Sequence, residues 1–445
     1  MKQNEKEREE LKNQIVNELL KTYLEKSKGE DQSKINSTAA AFLANTGVDL
    51  KKANQLALES LSSIKKDASM DDKILYTINY ARVLSAEGNY KDALKELNKV
   101  EEIANPWDSD FWNLLAQLYR KSGDNKKALE AYINGTVAYP SPKIVDERDK
   151  FAEQEKISKD EIQKLVDKKQ SELTSYDPGH FKGNTKGNVV LAELFTGAQC
   201  PPCAGADAAF DLMSEYYSRN DLVILEYHVH IPAPDPMTNP DSFSRYRYYG
   251  GNFGTPTVII EGKEKITGGG PKYLAKNRFN IYKYSIDKFF QGNPQLKIAG
   301  AATQKNNKVN VNLKLKSGSN KEKNLSLHVA LVEKSIQYSG SNGVTKHLFV
   351  VRSLIKGADG SPIEFKKGAE NFSESFNVNE IEKNISTYLD DPTKDSSWRK
   401  GLPFSGWNQR TDKIDRKNLA VVAWVQNNNT KSVLQSYYVD VPVNK

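Results

Sequence analysis

The two cysteines of this chain are the residues whose type and spacing most directly suggest chemistry. Cys200 and Cys203 are the only cysteines among 445 residues, and they lie three positions apart in VVLAELFTGAQCPPCAGADAAFDLM, residues 189–213. Two cysteines cannot build a disulfide framework, so packing must hold the fold together. The pair is therefore a redox couple, two ligands of a metal ion, or one local structural disulfide.

The elements predicted around the pair favour the redox interpretation. The apolar run NVVLAELFT predicts a buried strand, and AGADAAFDLMSEYYSR after it predicts a helix. Cys200 would then lie at the N-terminus of that helix, where unpaired N–H groups and the helix dipole favour a thiolate. Cys200 would attack or be attacked, and Cys203, about one turn further on, would resolve the mixed disulfide.

The segment GTPT supplies the second part of the predicted site. DLVILEYHVHI predicts another strand, TPTVIIEGKEKITGGG a hairpin, and YLAKNRFNIYKYSIDKFF a closing helix. Strand, helix, strand, hairpin and helix in this order are typical of a thioredoxin fold, in which a cis proline lies beside the cysteines. We therefore expect Pro256 to be cis and the backbone of Thr255 to pair with a substrate peptide as an added strand.

These motifs also resemble those of a protein family. ELFTGAQCPPCAGAD, HVHIPAPDP, DSFSRYRYYGG and GTPTVIIEGK, all within 189–262, are similar to segments of bacterial secreted thioredoxin-like proteins. LHVALVEKSIQYSG and GVTKHLFVVRSLIKG resemble the β domain that follows such modules in certain outer-membrane-associated lipoproteins. The resemblance implies an exported protein that is redox-active or was formerly so, and it implies no particular substrate.

Two further residues are candidates for the site. Glu193 lies seven positions before Cys200, and it is either a proton relay or a capping or ion-pair carboxylate. Leu194, the next residue, occupies the position of the buried acid in thioredoxin. On a regular strand the side chains of Glu193 and Leu194 would point to opposite faces. Tyr246, in the segment between the predicted second strand and Pro256, would line a peptide groove or cover the core.

The alternative metal site combines the cysteines with two histidines. His228 and His230 alternate along one predicted strand, so both would face the same side. Two thiolates, Cys200 and Cys203, with one or two imidazoles suit copper(I) or zinc. The redox interpretation requires no cofactor beyond the Cys200–Cys203 disulfide itself.

The chain is long enough for several domains, and its patterning changes along its length. We predict a multidomain α + α/β + β protein with a thioredoxin-like central domain and a C-terminal antiparallel β-sandwich. The predicted parts are an N-terminal helix at 1–36, tetratricopeptide-like helical repeats at 37–142, helix and linker at 143–186, the thioredoxin-like domain at 187–291 and the sandwich at 292–445.

The helical repeats are predicted from a recurring pattern. Gly88 and Ala93 are each followed 35 residues later by their counterparts, Gly123 and Ala128, and Pro140 would end the second unit. Such repeats either bind a peptide or partner protein on a concave face or serve as a packing spacer. A third hypothesis for the whole chain follows: a non-enzymatic interaction or surface scaffold whose cysteine pair is a static clip.

Composition limits the class of partner. Net charge is +7, but the lysines are dispersed rather than clustered, so we expect no nucleic-acid binding. No run of about 18 apolar residues is present, so we expect no membrane span. The charged start MKQNEKEREELKNQ does not resemble a signal peptide, and we expect either a cytoplasmic protein or one whose leader has been removed. The isolated dithiol and the resemblance favour a periplasmic, secreted or cell-surface protein that acts on protein thiols.

Overall fold

The structure is a computed structural model, and it divides the chain into two compact units, Met1–Glu172 and Leu173–Lys445. The residues that it describes are 2–27, 31–64, 70–101, 103, 109–138, 141–174, 176–318, 322–365, 368–392 and 406–442. In these residues no helix has the length and apolar character needed to cross a membrane.

The first unit is helical throughout its described elements. The helices are α1 (Lys2–Lys26), α2 (Gln32–Thr46), α3 (Leu50–Ser62), α4 (Met70–Ala86), α5 (Tyr90–Asn98), α6 (Ser109–Lys121), α7 (Asn125–Ala138), α8 (Pro142–Gln154) and α9 (Lys159–Thr174).

Helix hairpins with the predicted repeat pattern are present in this unit. Gly88 joins α4 to α5 and Gly123 joins α6 to α7, and both adopt positive φ, 84° and 80°, which a residue with a Cβ rarely adopts. Ala93 and Ala128 are fully buried, so each allows its two helices to approach closely. Helix hairpins are thus confirmed in this region; Pro140 lies outside the described residues.

The predicted boundary at 36/37 is wrong as a break between helices. It falls inside α2, which begins at Gln32 because the Asp31 side chain accepts hydrogen bonds from the backbone N–H groups of Ser33 and Lys34. The predicted charged helix beyond 143 consists of two helices, α8 and α9, and the predicted linker is irregular over 176–189.

The second unit contains all the described strands. They are β1 (Val190–Thr196), β2 (Leu222–His228), β3 (Thr257–Ile260), β4 (Glu264–Thr267), β5 (Leu296–Lys305), β6 (Lys308–Ser317), β7 (Leu325–Gln337), β8 (Lys346–Leu354), β9 (Ser361–Pro362), β10 (Ala369–Asn377), β11 (Leu419–Asn427) and β12 (Val433–Asp440). Its helices are α10 (Cys203–Tyr216), α11 (Pro240–Tyr248), α12 (Ala275–Phe289) and α13 (Val378–Asp390).

A single large sheet runs through most of this unit. Its strand order is β12-β11-β7-β8-β2-β1-β3-β4, with β9 paired to β7. β2 pairs in parallel with both β1 and β8, so the predicted boundary at 291/292 does not separate two sheets. β7 also lies in the interior of this sheet, between β11 and β8. Its residues 325–332 are buried on both faces, as expected for an interior strand.

The two faces of the large sheet are covered by different elements. Alternate residues of β1 and β2, including Leu191 and Leu225, pack with Tyr246 of α11. The other face of β1 meets α10, which also packs on α12. A second sheet, β10-β6-β5, shares a core with α13 and with one face of β7 and β11.

Candidate functional site

The cysteine pair lies where the sequence predicts it. β1 ends at Thr196, α10 begins at Cys203, and Pro202 immediately precedes the helix. Cys200 and Cys203 form a disulfide, with their Cα atoms 5.3 Å apart. The first sulfur therefore belongs to the segment that leads into the N-terminus of α10, and the second to the first turn of the helix.

The predicted proline segment lies beside the first sulfur. The Thr255–Pro256 peptide bond is cis, and the Thr255 carbonyl oxygen is 3.5 Å from the Sγ atom of Cys200. The Thr255 hydroxyl is 3.4 Å from the same sulfur and 3.3 Å from the Ile231 carbonyl, which is the better acceptor for its proton. Cys200 and the start of β3 are thus neighbours, although 55 residues separate them.

The Cys200 side chain is almost completely covered in this state. Only 1% of the residue is exposed. On one side the Gly270 N–H donates to the Pro202 carbonyl at 2.6 Å, and on the other the Asn342 N–H donates to the Ala198 carbonyl at 3.3 Å. Because the side chain is buried, a visiting thiol reaches the Cys200 sulfur only after a local movement of the surrounding chain.

Glu193 is committed to an ion pair. Its side chain is fully buried, and Arg245 of α11 donates to both carboxylate oxygens, at 2.8 and 3.0 Å. Tyr249 donates a further hydrogen bond of 2.6 Å. Because Glu193 faces α11, whereas Cys203 opens the helix on the opposite face of β1, the geometry does not bring this carboxylate to the sulfurs.

Tyr246 is part of the packed core. Its ring contacts Phe195 and Phe253, and its hydroxyl donates to the Phe253 carbonyl at 2.7 Å. The side chain is buried, and the structure does not place it in a groove beside Cys200.

The two predicted histidines share a partner that is not cysteine. His228 Nδ1 lies 2.9 Å from a carboxylate oxygen of Asp235, and the Asp235 N–H donates to His230 Nδ1 at 2.9 Å. The His230 ring stacks on Tyr388. Since both sulfurs are in the disulfide, they offer no thiolate here, and the structure does not gather the predicted set of two cysteines and two histidines.

Asp235 is a buried anion that organises this region. It accepts hydrogen bonds from the N–H groups of Ala198 and Met237 as well as contacting His228. Burial alone would raise the pKa of Asp235, but His228 and these two donors hold it below its ordinary value. The loop that leads to Cys200 is thereby tied to the end of β2.

Asp207 is a second buried acid, and it lies one turn after Cys203 on α10. Its carboxylate accepts a hydrogen bond of 2.7 Å from the Thr196 hydroxyl. Burial raises the pKa of Asp207 to about 7, against the opposing effects of Thr196 and His228. The sequence motif CAGAD contains this residue, but nothing in the local pattern distinguishes it from a surface acid of the helix.

Glu226 and His347 complete a buried polar cluster with His228. The three offer ligand-type atoms that all lie within 4.8 Å of one another, and all three residues are buried. Burial and the nearby carboxylate of Asp207 raise the pKa of Glu226 well above its ordinary value. Burial and the neighbouring His228 lower the pKa of His347 to about 3. This cluster could not be predicted from the sequence, because Glu226 and His347 lie 121 residues apart on different strands.

Comparison with known proteins identifies no family. No protein-family model and no curated protein match the chain. Among solved structures, HBP35 of Porphyromonas gingivalis is similar over 59% of this chain and 80% of its own, with 14% identity and a TM-score of 0.40. MamA is similar over 36% of this chain and 92% of its own, with 14% identity and a TM-score of 0.27. At these TM-scores neither likeness carries an argument about function.

Proposed function

We propose that this protein is a thiol–disulfide oxidoreductase that acts on the thiols or disulfides of partner proteins. The observation that carries the proposal is the position of the Cys200 sulfur, 3.5 Å from the Thr255 carbonyl and next to a cis proline. In this proposal the elements from β1 to α12 form the thioredoxin-like part, and β5 to β12 form the sandwich-like part. The Thr255 backbone pairs with an extended substrate segment.

The reaction needs only the atoms of the two proteins. A substrate thiolate attacks Cys200 Sγ, the Cys200–Cys203 bond breaks, and the Cys203 sulfur takes the electron pair and a proton. A second substrate thiolate then attacks the substrate sulfur of the mixed disulfide and releases Cys200. The substrate loses two electrons and gains a disulfide, while the protein gains two electrons and holds a dithiol; the reverse sequence reduces a substrate disulfide.

The proposed setting is outside the cytoplasm, where a disulfide such as Cys200–Cys203 persists. The proposed partners are protein substrates or a redox partner protein. The helical hairpins of 32–138 supply a further surface for binding a peptide or protein.

Two experiments test the proposal. The reduction potential of Cys200–Cys203 is measured by equilibrating the full chain with glutathione buffers, and mixed disulfides with a model protein are trapped in cysteine variants. We expect a reduction potential between roughly −120 and −270 mV, the range of known oxidoreductases. The variant Cys203→Ser should accumulate a mixed disulfide with a disulfide-containing model protein, because its Cys200 thiolate attacks that disulfide, releases one substrate thiol and is not freed again by an internal thiol. The matched variant Cys200→Ser should accumulate none. Equal catalysis of disulfide exchange by Cys200→Ser and the parent would end the proposal.

A structural disulfide in a binding scaffold is the second candidate function. The observation in its favour is the 1% exposure of Cys200. A reduction potential below about −300 mV, with no exchange with model proteins, is the result that this candidate predicts. The same titration therefore separates the two functions.

A further inference from the structure

Glu226, His228 and His347 lie on the two strands that join the halves of the large sheet. Glu226 and His228 are two residues apart on β2, so their side chains share a face, and His347 lies on β8, which pairs with β2. The Leu348 N–H donates to one carboxylate oxygen of Glu226 at 3.2 Å. The two imidazole rings meet edge to face, with their centroids 5.0 Å apart.

Each imidazole is anchored through one ring nitrogen to an acceptor. His347 Nε2 lies 3.1 Å from the Tyr338 carbonyl, which can only accept, so this nitrogen carries the hydrogen. His228 Nδ1 is bonded in the same way to the Asp235 carboxylate at 2.9 Å. In the neutral rings the other nitrogens, His228 Nε2 and His347 Nδ1, therefore present bare lone pairs.

These two lone pairs have no hydrogen-bond donor among the described residues, although both nitrogens are completely buried. The third member of the cluster is a carboxylate, which also accepts when ionised. Buried acceptors without a donor are costly, and natural proteins rarely leave two of them side by side. A proton on Glu226 can serve only one of the two nitrogens at a time, so it leaves the other acceptor unsatisfied.

We propose that Glu226, His228 and His347 bind a divalent transition-metal ion of the zinc class. Two imidazole nitrogens and one carboxylate oxygen are a common zinc donor set, and imidazole disfavours calcium and magnesium. The bonds from His228 to Asp235 and from His347 to the Tyr338 carbonyl are the outer contacts that orient metal-bound histidines. The site uses neither sulfur, so it is independent of the proposed disulfide chemistry and differs from a cysteine–histidine site.

Because the three side chains are buried, the ion is expected to enter while the chain folds. The full chain is therefore analysed for metal as isolated, and again after refolding with Zn²⁺ or with Co²⁺ followed by removal of free metal. We expect about one ion per chain by elemental analysis after refolding. The Co²⁺ form should show the visible absorption of a nitrogen- and oxygen-bound ion, without a sulfur charge-transfer band.

Four variants locate the site, and a fifth serves if the ligand variants fail to fold. Glu226→Gln and His347→Phe should lose stoichiometric binding, whereas His328→Phe, a matched control at another buried histidine of the same sheet, should retain it. A double Cys200→Ser/Cys203→Ser variant should also retain it. If the ligand variants fail to fold, Asp235→Asn, which removes the anion bonded to His228 Nδ1 and leaves the three ligands in place, should weaken Zn²⁺ binding about 10–100-fold.

Four results would overturn the proposal. They are a parent chain that holds no metal by either route, full binding in Glu226→Gln and His347→Phe, loss of binding in the double cysteine variant, and unchanged affinity in folded Asp235→Asn.

Discussion

At the scale of single residues, Glu193 fits two interpretations of the sequence, a proton relay and a capping or ion-pair carboxylate. As an acid near a cysteine pair it suggests a proton relay, yet both of its oxygens are bonded to Arg245 and neither ion is exposed. Arg245 also donates to Gln426 of β11 at 2.7 Å. The ion pair therefore connects β1 and α11 to a strand from the C-terminal part of the unit.

Removing the charge of Glu193 alone should be costly. Glu193→Gln leaves the guanidinium of Arg245 buried without a counter-charge, so we expect the free energy of unfolding in urea to fall by about 3–5 kcal/mol. The double variant Glu193→Leu/Arg245→Met should recover most of this loss, because an apolar pair of similar volume often replaces a buried ion pair at little cost. Its rate of disulfide exchange at pH 7 should equal that of the parent. A tenfold slower exchange in the stable double variant would instead favour the relay.

His328 predicts a pH dependence of stability at the same scale. The residue is buried on β7 with its ring stacked on Trp424, and burial, together with Arg245 and Lys431, holds its pKa well below the ordinary value. The unfolded chain takes up a proton at His328 as pH falls through about 6.5, and the folded chain does not. Acid therefore favours the unfolded state, and the contribution of this residue to stability is lost as pH falls below about 6.5.

The variant His328→Phe isolates this effect. The difference in unfolding free energy between the parent and His328→Phe should shift against the parent by up to about 1.4 kcal/mol per pH unit between pH 6.5 and pH 5. His180→Phe is the control, since the exposed imidazole of His180 meets water in both states. A difference between the parent and His328→Phe that stays constant with pH would show that the folded protein accommodates the protonated ring.

At the scale of elements, the turn after β4 packs against Pro202 and Pro256, the residues next to Cys203 and Thr255. A Cβ added to Gly269 would lie 2.0 Å from the Pro202 carbonyl oxygen and 2.5 Å from a ring carbon of Pro256. Both contacts are too short, so this turn, the entry to α10 and the cis-proline segment can hold their positions only around a glycine.

Gly269→Ala should therefore disturb the site through packing. We expect a loss of about 1–3 kcal/mol in unfolding free energy and faster reduction of Cys200–Cys203 by dithiothreitol, because the turn is pushed away from Pro202 and loosens the entry to α10. Gly254→Ala is the matched control, since a Cβ there meets nothing within 4 Å. Reduction kinetics are followed by thiol alkylation and mass spectrometry. Equal rates in the two variants would mean that this turn does not control access to the sulfur.

Local sequence patterns predict the strands and the helix that carry the site better than they predict which strands lie next to one another. The strand before the cysteines, the helix after them and the proline of β3 follow from apolar periodicity and from residues with restricted backbones. The position of β8 beside β2 does not follow from such patterns, because the paired residues Glu226 and Val350 are 124 residues apart. The alternation of apolar and polar residues in β8 is compatible with many partner strands. The cluster of Glu226, His228 and His347 depends on that pairing, so local reasoning could not assemble it.

At the scale of the whole molecule, the parallel pairing of β2 with β8 decides which part of the chain can fold alone. β2 is buried along its whole length, between β1 on one side and β8 on the other. A fragment that ends near 291 would expose one edge of this apolar strand and would leave Glu226 without the Leu348 donor. The second compact unit, 173–445, retains both neighbours.

We therefore expect the fragment 173–445 to unfold in urea in one cooperative transition and the fragment 173–291 to show none. Far-UV circular dichroism and the dispersion of amide signals in a proton–nitrogen NMR spectrum measure the difference. In the shorter fragment, one edge and part of both faces of β2 are no longer buried, so the free energy gained from burying apolar surface is smaller. The conformational entropy lost per ordered residue is the same in both fragments. A cooperative transition in 173–291, with a disulfide potential equal to that of the full chain, would show instead that the elements from β1 to α12 are an autonomous domain onto which the later strands were added.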